Sequence, residues 1–153
     1  MEAAGGGWDV VNTAGLASYV LSENLEALVN LGGTPVFTGT GNADGNILLG
    51  GYTVDRLAGQ GGDDTLWGDA GADLLNGGLG ADSLVGGEGV DTASYADAAS
   101  GVTVNLGLGL GVRGEARGDV LVDIENLVGS DHADLLVRDG GANRLDGGGG
   151  DDT

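Results

Sequence analysis

The chain has no cysteine, no lysine, one proline, one histidine and only six aromatic residues in 153 positions. Without cysteine there is no disulfide staple and no thiolate metal site. The compartment stays open on that count, because extracellular proteins need not use disulfides. Positive charge is nearly missing. Five arginines (Arg56, Arg113, Arg117, Arg138 and Arg144) face 24 acidic residues, 18 of them Asp, for a net charge of −19. A surface of that sign excludes nucleic acid, whose phosphates need cations, and anionic lipid. No apolar run approaches the ~18 residues of a spanning helix, so no membrane insertion is expected. No basic segment followed by an apolar run comes after Met1 and Glu2, so a classical signal peptide is not expected in this stretch. The glycines lack the lysine of a phosphate loop. His132 has no nucleophile motif beside it, and one His without Cys disfavours zinc. No catalytic residue is expected, and the chain is read as not an enzyme.

Glycine, by contrast, occurs 35 times. Aperiodic glycine would mean disorder, whereas periodic glycine means a repeat architecture. Here it is periodic. Gly41, Gly50, Gly59, Gly68, Gly77 and Gly86 stand nine apart and open the nonapeptides GNADGNILL, GGYTVDRLA, GQGGDDTLW, GDAGADLLN, GGLGADSLV and GGEGVDTAS. Position 6 is Asn46, Asp55, Asp64, Asp73, Asp82 and Asp91; position 8 is Leu48, Leu57, Leu66, Leu75, Leu84 and Ala93. A second tract begins at Gly129 and reads GSDHADLLV, RDGGANRLD and GGGGDDT. It places Asp134, Asn143 and Asp152 at position 6, and Leu136 and Leu145 at position 8. A solvated linker would have no reason to hold leucine at one phase of the period. A chain this acidic repels itself when compact, so cations are the natural partner.

The pattern GGxGxDxUx, with U a large apolar residue, resembles the RTX (hemolysin-type) calcium-binding repeat. The resemblance implies an all-β fold, a right-handed parallel β-roll in which each nonapeptide gives a calcium-binding turn and a short strand. Two nonapeptides then close one coil, and residues 18 apart stack, Asn46 on Asp64, Asp55 on Asp73, Asp64 on Asp82, Asp73 on Asp91 and Asp134 on Asp152. Several Ca2+ ions are the implied cofactor and partner. Ca2+ takes six to eight oxygens from carboxylates and carbonyls, and glycine lets a tight turn aim its carbonyls without steric cost. The implied metal residues are Asp55, Asp64, Asp73, Asp82, Asp91, Asp134, Asp152 and Asn46, with the turn glycines Gly59, Gly61, Gly68, Gly77, Gly78, Gly80, Gly86, Gly87 and Gly89. The sequence departs from the pattern at Asn46 and Asn143, which weaken their sites. It also departs at Asp44, Thr53 and His132 in position 4, and at Arg138 where a glycine is expected.

Four segments follow: a β flank over 1–40, the nonapeptide tract 41–94, an intervening β segment 95–128, and the second tract 129–153. Val102 to Leu106 and Val120 to Val122 alternate like strands. Leu16, Val20, Leu21, Leu25 and Leu28 fit a helical period, but strands are preferred there. Segments 1–40 and 95–128 resemble each other in part, through the Glu-Asn-Leu strings at 23–25 and 125–127, and such strings accompany repeat tracts of this family, where they look like continuations of the solenoid. Residues 7–12 resemble 89–94, so the chain is expected to open on the tail of an earlier tract. It stops inside a nonapeptide, as a slice of a longer array or a unit stacking on copies of itself would. The resemblance further implies type I export of an unfolded chain and calcium-driven folding outside the cell. The expected role is a structural, adhesive or self-assembling extracellular scaffold. The alternative is an accessory domain of a secreted protease, lipase or epimerase.

Overall fold

The computed structural model describes residues 7–153. Among them are sixteen strands and a single turn of 3-10 helix, Gly114–Ala116, with no α-helix. In chain order the strands are β1 (Val10–Thr13), β2 (Ser18–Val20), β3 (Ala27–Asn30), β4 (Val36–Thr40), β5 (Ile47–Gly51), β6 (Val54–Gly61), β7 (Thr65–Gly71) and β8 (Leu74–Leu79). They continue with β9 (Ser83–Gly89), β10 (Thr92–Ser94), β11 (Thr103–Asn105), β12 (Leu110–Arg113), β13 (Val120–Val122), β14 (Asn126–Val128), β15 (Leu135–Val137) and β16 (Arg144–Asp146). They form two sheets, ordered β1-β3-β5-β7-β9-β13-β12-β11-β15 and β16-β14-β10-β8-β6-β4-β2. Successive strands alternate between the sheets through β10, and the chain winds as a parallel β-solenoid of about eight turns. The preference for strands over a helix in the first segment is met by β2 and β3.

The nine-residue period builds this directly. Leu48 pairs with Leu66 and Leu66 with Leu84 in one sheet, while Leu57 pairs with Leu75 and Leu75 with Ala93 in the other, all eighteen residues apart. Strand side chains alternate, so these position-8 residues all point into the space between the sheets. There they are buried with Leu28, Phe37 and Leu127 in one continuous core. Leu145 occupies the same phase but is 37% exposed, because β16 is the edge of its sheet. Leu66→Ala removes a side chain packed on both axial neighbours, and should cost ~2–5 kcal/mol of stability. Thermal unfolding in saturating calcium checks this.

Outside the tract the coil length varies. Val11 pairs with Leu28 seventeen residues on, and Leu28 with Leu48 twenty residues on. The two Glu-Asn-Leu strings, alike in sequence, sit at different places in their coils. Leu127 is a core strand residue opposite Ala93, whereas Leu25 lies before β3 and only packs against the core. The residues at matching places are Glu26, Ala27 and Leu28 against Glu125, Asn126 and Leu127. Asn24 and Asp123, each two residues before its glutamate, share a positive φ of 62° and 50°.

The segment 95–128 inserts an antiparallel element. β11 and β12 form a hairpin that lies between β13 and β15 in the nine-stranded sheet, while β14 pairs directly with β16 in the other. Val102, Val104, Leu106 and Ala116 anchor it in the core. β12 is not apparent from the sequence, because glycine weakens strand signals and Leu110-Gly111-Val112 is flanked by more of it.

Candidate metal centre

Position 6 of each nonapeptide sits where a turn runs into a strand. Asn46, Asp64 and Asp82 lead into β5, β7 and β9, while Asp73 and Asp91 lead into β8 and β10 and Asp55 lies at the start of β6. Two rows therefore run along the two turn edges. Asp55, Asp64, Asp73, Asp82 and Asp91 are each at most 2% exposed. Within a row each carboxylate reaches back one coil. The backbone N–H of Asn46 donates to Asp64 Oδ1 at 2.7 Å, that of Asp55 to Asp73 at 2.8 Å, that of Asp64 to Asp82 at 2.9 Å, and that of Asp73 to Asp91 at 2.8 Å.

That bond uses only one oxygen. The Oδ2 atoms of Asp55, Asp64, Asp73, Asp82 and Asp91 are all buried without a partner. Buried polar atoms in folded proteins are almost always bonded, and an unpaired buried carboxylate is costly. Burial accordingly pushes these groups up from the usual range, Asp55 and Asp73 to about 6 and Asp64 to about 7, with Asp82 and Asp91 also raised. Neighbouring carboxylates add to the shift, among them Asp82 on Asp64 and Asp91 on Asp73.

The glycines complete the setting. A Cβ on Gly59, Gly68, Gly77 or Gly86 would run into the carboxylate of its own repeat. A Cβ on Gly78 or Gly87 would strike the carbonyl of Gln60 or Asp69 one coil before, and one on Gly80 or Gly89 that of Gly62 or Gly71. Backbone carbonyls at positions 2 and 4 thus abut the next coil. Gly61 stands apart, since its nearest prospective neighbour is Leu79 O at 3.8 Å. The adjacent Gly62, with φ +89°, takes the constrained place. Gln60 and Asp69, although not glycine, hold φ +84° and +71° at position 2, a conformation that costs energy and often marks function.

Residues beyond the expected set join the rows. The N–H of Asp82 donates to Asp119 Oδ1 at 3.0 Å, so the fully buried Asp119 continues that row. Its second oxygen accepts the Tyr95 hydroxyl at 2.9 Å, and burial lifts its pKa to about 6. Glu125 Oε2 accepts the N–H of Asp91 at 2.8 Å, and Glu26 Oε2 that of Asp9 at 2.7 Å. Residues 7–12 and 89–94, which both carry Gly-x-Asp, therefore share an aspartate-to-glutamate contact as well. A signal for Asp119 exists: Gly114, Asp119 and Leu121 obey the nonapeptide spacing, one residue out of phase with the first tract.

The second tract is built differently. Asp134 is 4% exposed, and its Oδ1 accepts the N–H of Val102 at 2.7 Å. Its Oδ2 is already taken, by the N–H of Ser130 at 2.6 Å and the Ser130 hydroxyl at 3.2 Å. Asp152 Oδ1 accepts the N–H of Asp134 at 3.0 Å and is exposed. Asn46 is likewise self-contained, since Oδ1 accepts the N–H of Asn42 at 2.7 Å and Nδ2 donates to Leu25 O at 3.1 Å.

These residues fit a hard dication held by oxygen. Among the described residues no group of three or more His, Cys, Asp and Glu side chains converges. Five turns, those of Asp55, Asp64, Asp73, Asp82 and Asp91, instead offer one orphaned carboxylate oxygen each, and with backbone carbonyls they make the mixed oxygen set that suits Ca2+. The family profile of the RTX calcium-binding nonapeptide repeat matches in four copies, at residues 40–75, 49–84, 59–93 and 124–153, together more than half of the chain. No curated protein matches the sequence.

Proposed function

The chain belongs to the RTX calcium-binding repeat family, and from that premise we propose that it is an extracellular module whose β-roll folds on Ca2+. The observation that carries this is the pair of carboxylate rows with orphaned Oδ2 atoms at Asp55, Asp64, Asp73, Asp82 and Asp91. Bound calcium supplies positive charge and empty oxygen coordination along those rows. The residues do the rest. Each Oδ1 fixes its carboxylate to the preceding coil, each position-1 glycine leaves room for Oδ2, and each position-8 residue closes the core. Without a cation the rows stack negative charge in a dry edge, and one leucine per strand is little apolar burial to set against the ordering entropy of so much glycine. Site formation and folding are then one event.

Asp152 and the glycines at positions 1, 2 and 4 belong to the proposed sites. Asn46, with its amide turned to Leu25 O, contributes no charge and marks a weak end of its row. Extracellular calcium modules bind at about 10⁻⁴–10⁻³ M, far above the calcium of a bacterial cytosol. That range suits a chain exported unfolded and ordered outside, as a structural or self-assembling scaffold. Far-UV circular dichroism during a calcium titration tests the core of this reading. A disordered spectrum should turn to β near millimolar calcium and not with magnesium, whose small octahedral shell demands near-ideal geometry. A β spectrum at neutral pH that chelation leaves unchanged sinks it.

A further inference from the structure

Among repeats with a buried aspartate at position 6, an open carboxylate oxygen goes with the backbone at position 2. In the five repeats with an orphaned Oδ2, position 2 is Gly51, Gln60, Asp69, Gly78 or Gly87, and all five have positive φ. In three other repeats position 2 is Asn42, Ser130 or Asp139, and none has positive φ. There the position-2 N–H turns inward and donates to the position-6 side chain: Asn42 to Asn46 at 2.7 Å, Ser130 to Asp134 at 2.6 Å, Asp139 to Asn143 at 3.1 Å. In the same three turns the position-2 side chain accepts the N–H of position 4, from Asp44 at 2.9 Å, His132 at 3.1 Å and Gly141 at 2.7 Å. Asn, Ser and Asp favour this local bond, which competes with other backbone arrangements.

We propose that Ser130 closes the Asp134 repeat to calcium, so that an aspartate with the family spacing binds no ion, and that the backbone of position 2 determines which repeats are loaded. This rests on the calcium reading above but narrows it. Asp134 is buried and carries the expected residue type, yet both its oxygens are engaged by donors of this chain, Val102 and Ser130. Its axial neighbour in the next coil shows the open alternative, for Gly148 holds φ +81° at position 2.

Calcium stoichiometry of the full chain, measured by native mass spectrometry and by equilibrium dialysis, provides the test. Asp134→Asn should leave the number of bound ions unchanged, whereas Asp64→Asn should lower it. Ser130→Gly frees position 2 for positive φ and should add one ion. Ser130→Ala removes the hydroxyl but disfavours positive φ, and should add none. Loss of an ion in Asp134→Asn, or an unchanged count in a Ser130→Gly chain that still folds, overturns the proposal. A Ser130→Gly chain that fails to fold leaves the decision to Asp134→Asn, which keeps the side-chain shape. If the unaltered chain binds no calcium at all, the functional reading has failed and not merely this refinement of it.

Discussion

Free of calcium, the chain is expected to be unfolded at pH 8 and to regain β structure as the pH is lowered to 5. The folded rows hold Asp55 and Asp73 at a pKa of about 6 and Asp64 at about 7, with Asp82 and Asp91 also raised, chiefly by burial. In the unfolded chain all five return to about 3.8. A group whose pKa is raised on folding favours the folded state most when it is protonated in both states, below about 4. That advantage drains away as the pH climbs, because the unfolded chain then releases protons that the folded rows retain. The loss is complete once the folded groups have also ionised, above about 7. Lower pH also trims the net charge of −19, which relieves self-repulsion. The calcium-bound protein should show the opposite slope. Ligand carboxylates must be deprotonated, so the calcium concentration at the folding midpoint should fall as the pH rises from 5 to 8. Circular dichroism at both ends, with and without calcium, measures all four corners. A calcium-free chain that stays disordered at pH 5, or a calcium midpoint that rises with pH, contradicts the carboxylate rows as the seat of the coupling. The sequence pI of about 4.1 places pH 5 clear of the solubility minimum.

The tract was legible because one physical rule repeats. A period of nine, doubled, stacks Leu66 on Leu48 and Asp82 on Asp64, and the two requirements, apolar inside and anionic at the turn, reinforce each other. Once that period slips by a single residue, the same chemistry becomes hard to see. Asp119 fills the next place in the row after Asp82, yet the inserted hairpin of β11 and β12 separates it from the tract. Glu125 serves the row with a longer arm after a turn shortened to Asp123 and Ile124. The matching string at 23–25 misleads, because identity of letters is not identity of phase. The closed state of Asp134 was hidden for a different reason. Its spacing is that of an open site, and the difference lies in a backbone dihedral four residues earlier, where serine prefers a local hydrogen bond.

Glycine substitutions separate the carbonyl-lined turns from glycine used merely as filler. Gly78→Ala should be among the most damaging single-methyl changes in the chain. The residue has φ +96°, and its new Cβ would meet the carbonyl of Gln60 in the preceding coil. Gly80→Ala meets the same difficulty, with φ +145° and the carbonyl of Gly62 in the way. A left-handed conformation alone costs an ordinary residue ~1–2 kcal/mol, and forcing two coils apart adds to that, for a total of roughly 2–4 kcal/mol. The displaced carbonyls are those that abut the next coil in the turns that carry the carboxylate rows, so the calcium midpoint for folding should also rise several-fold. Gly61→Ala is the control. It lies in the same turn region, in a repeat that holds Asp64, but its Cβ would find nothing nearer than Leu79 O at 3.8 Å, and its φ is not positive. It should stay within ~0.5 kcal/mol of the parent chain, as surface changes usually do. Calcium titrations followed by circular dichroism rank the three. If Gly61→Ala proves as harmful as Gly78→Ala, glycine acts in these turns through general flexibility, and the close approach of carbonyl to glycine between coils is not what holds the rows in register.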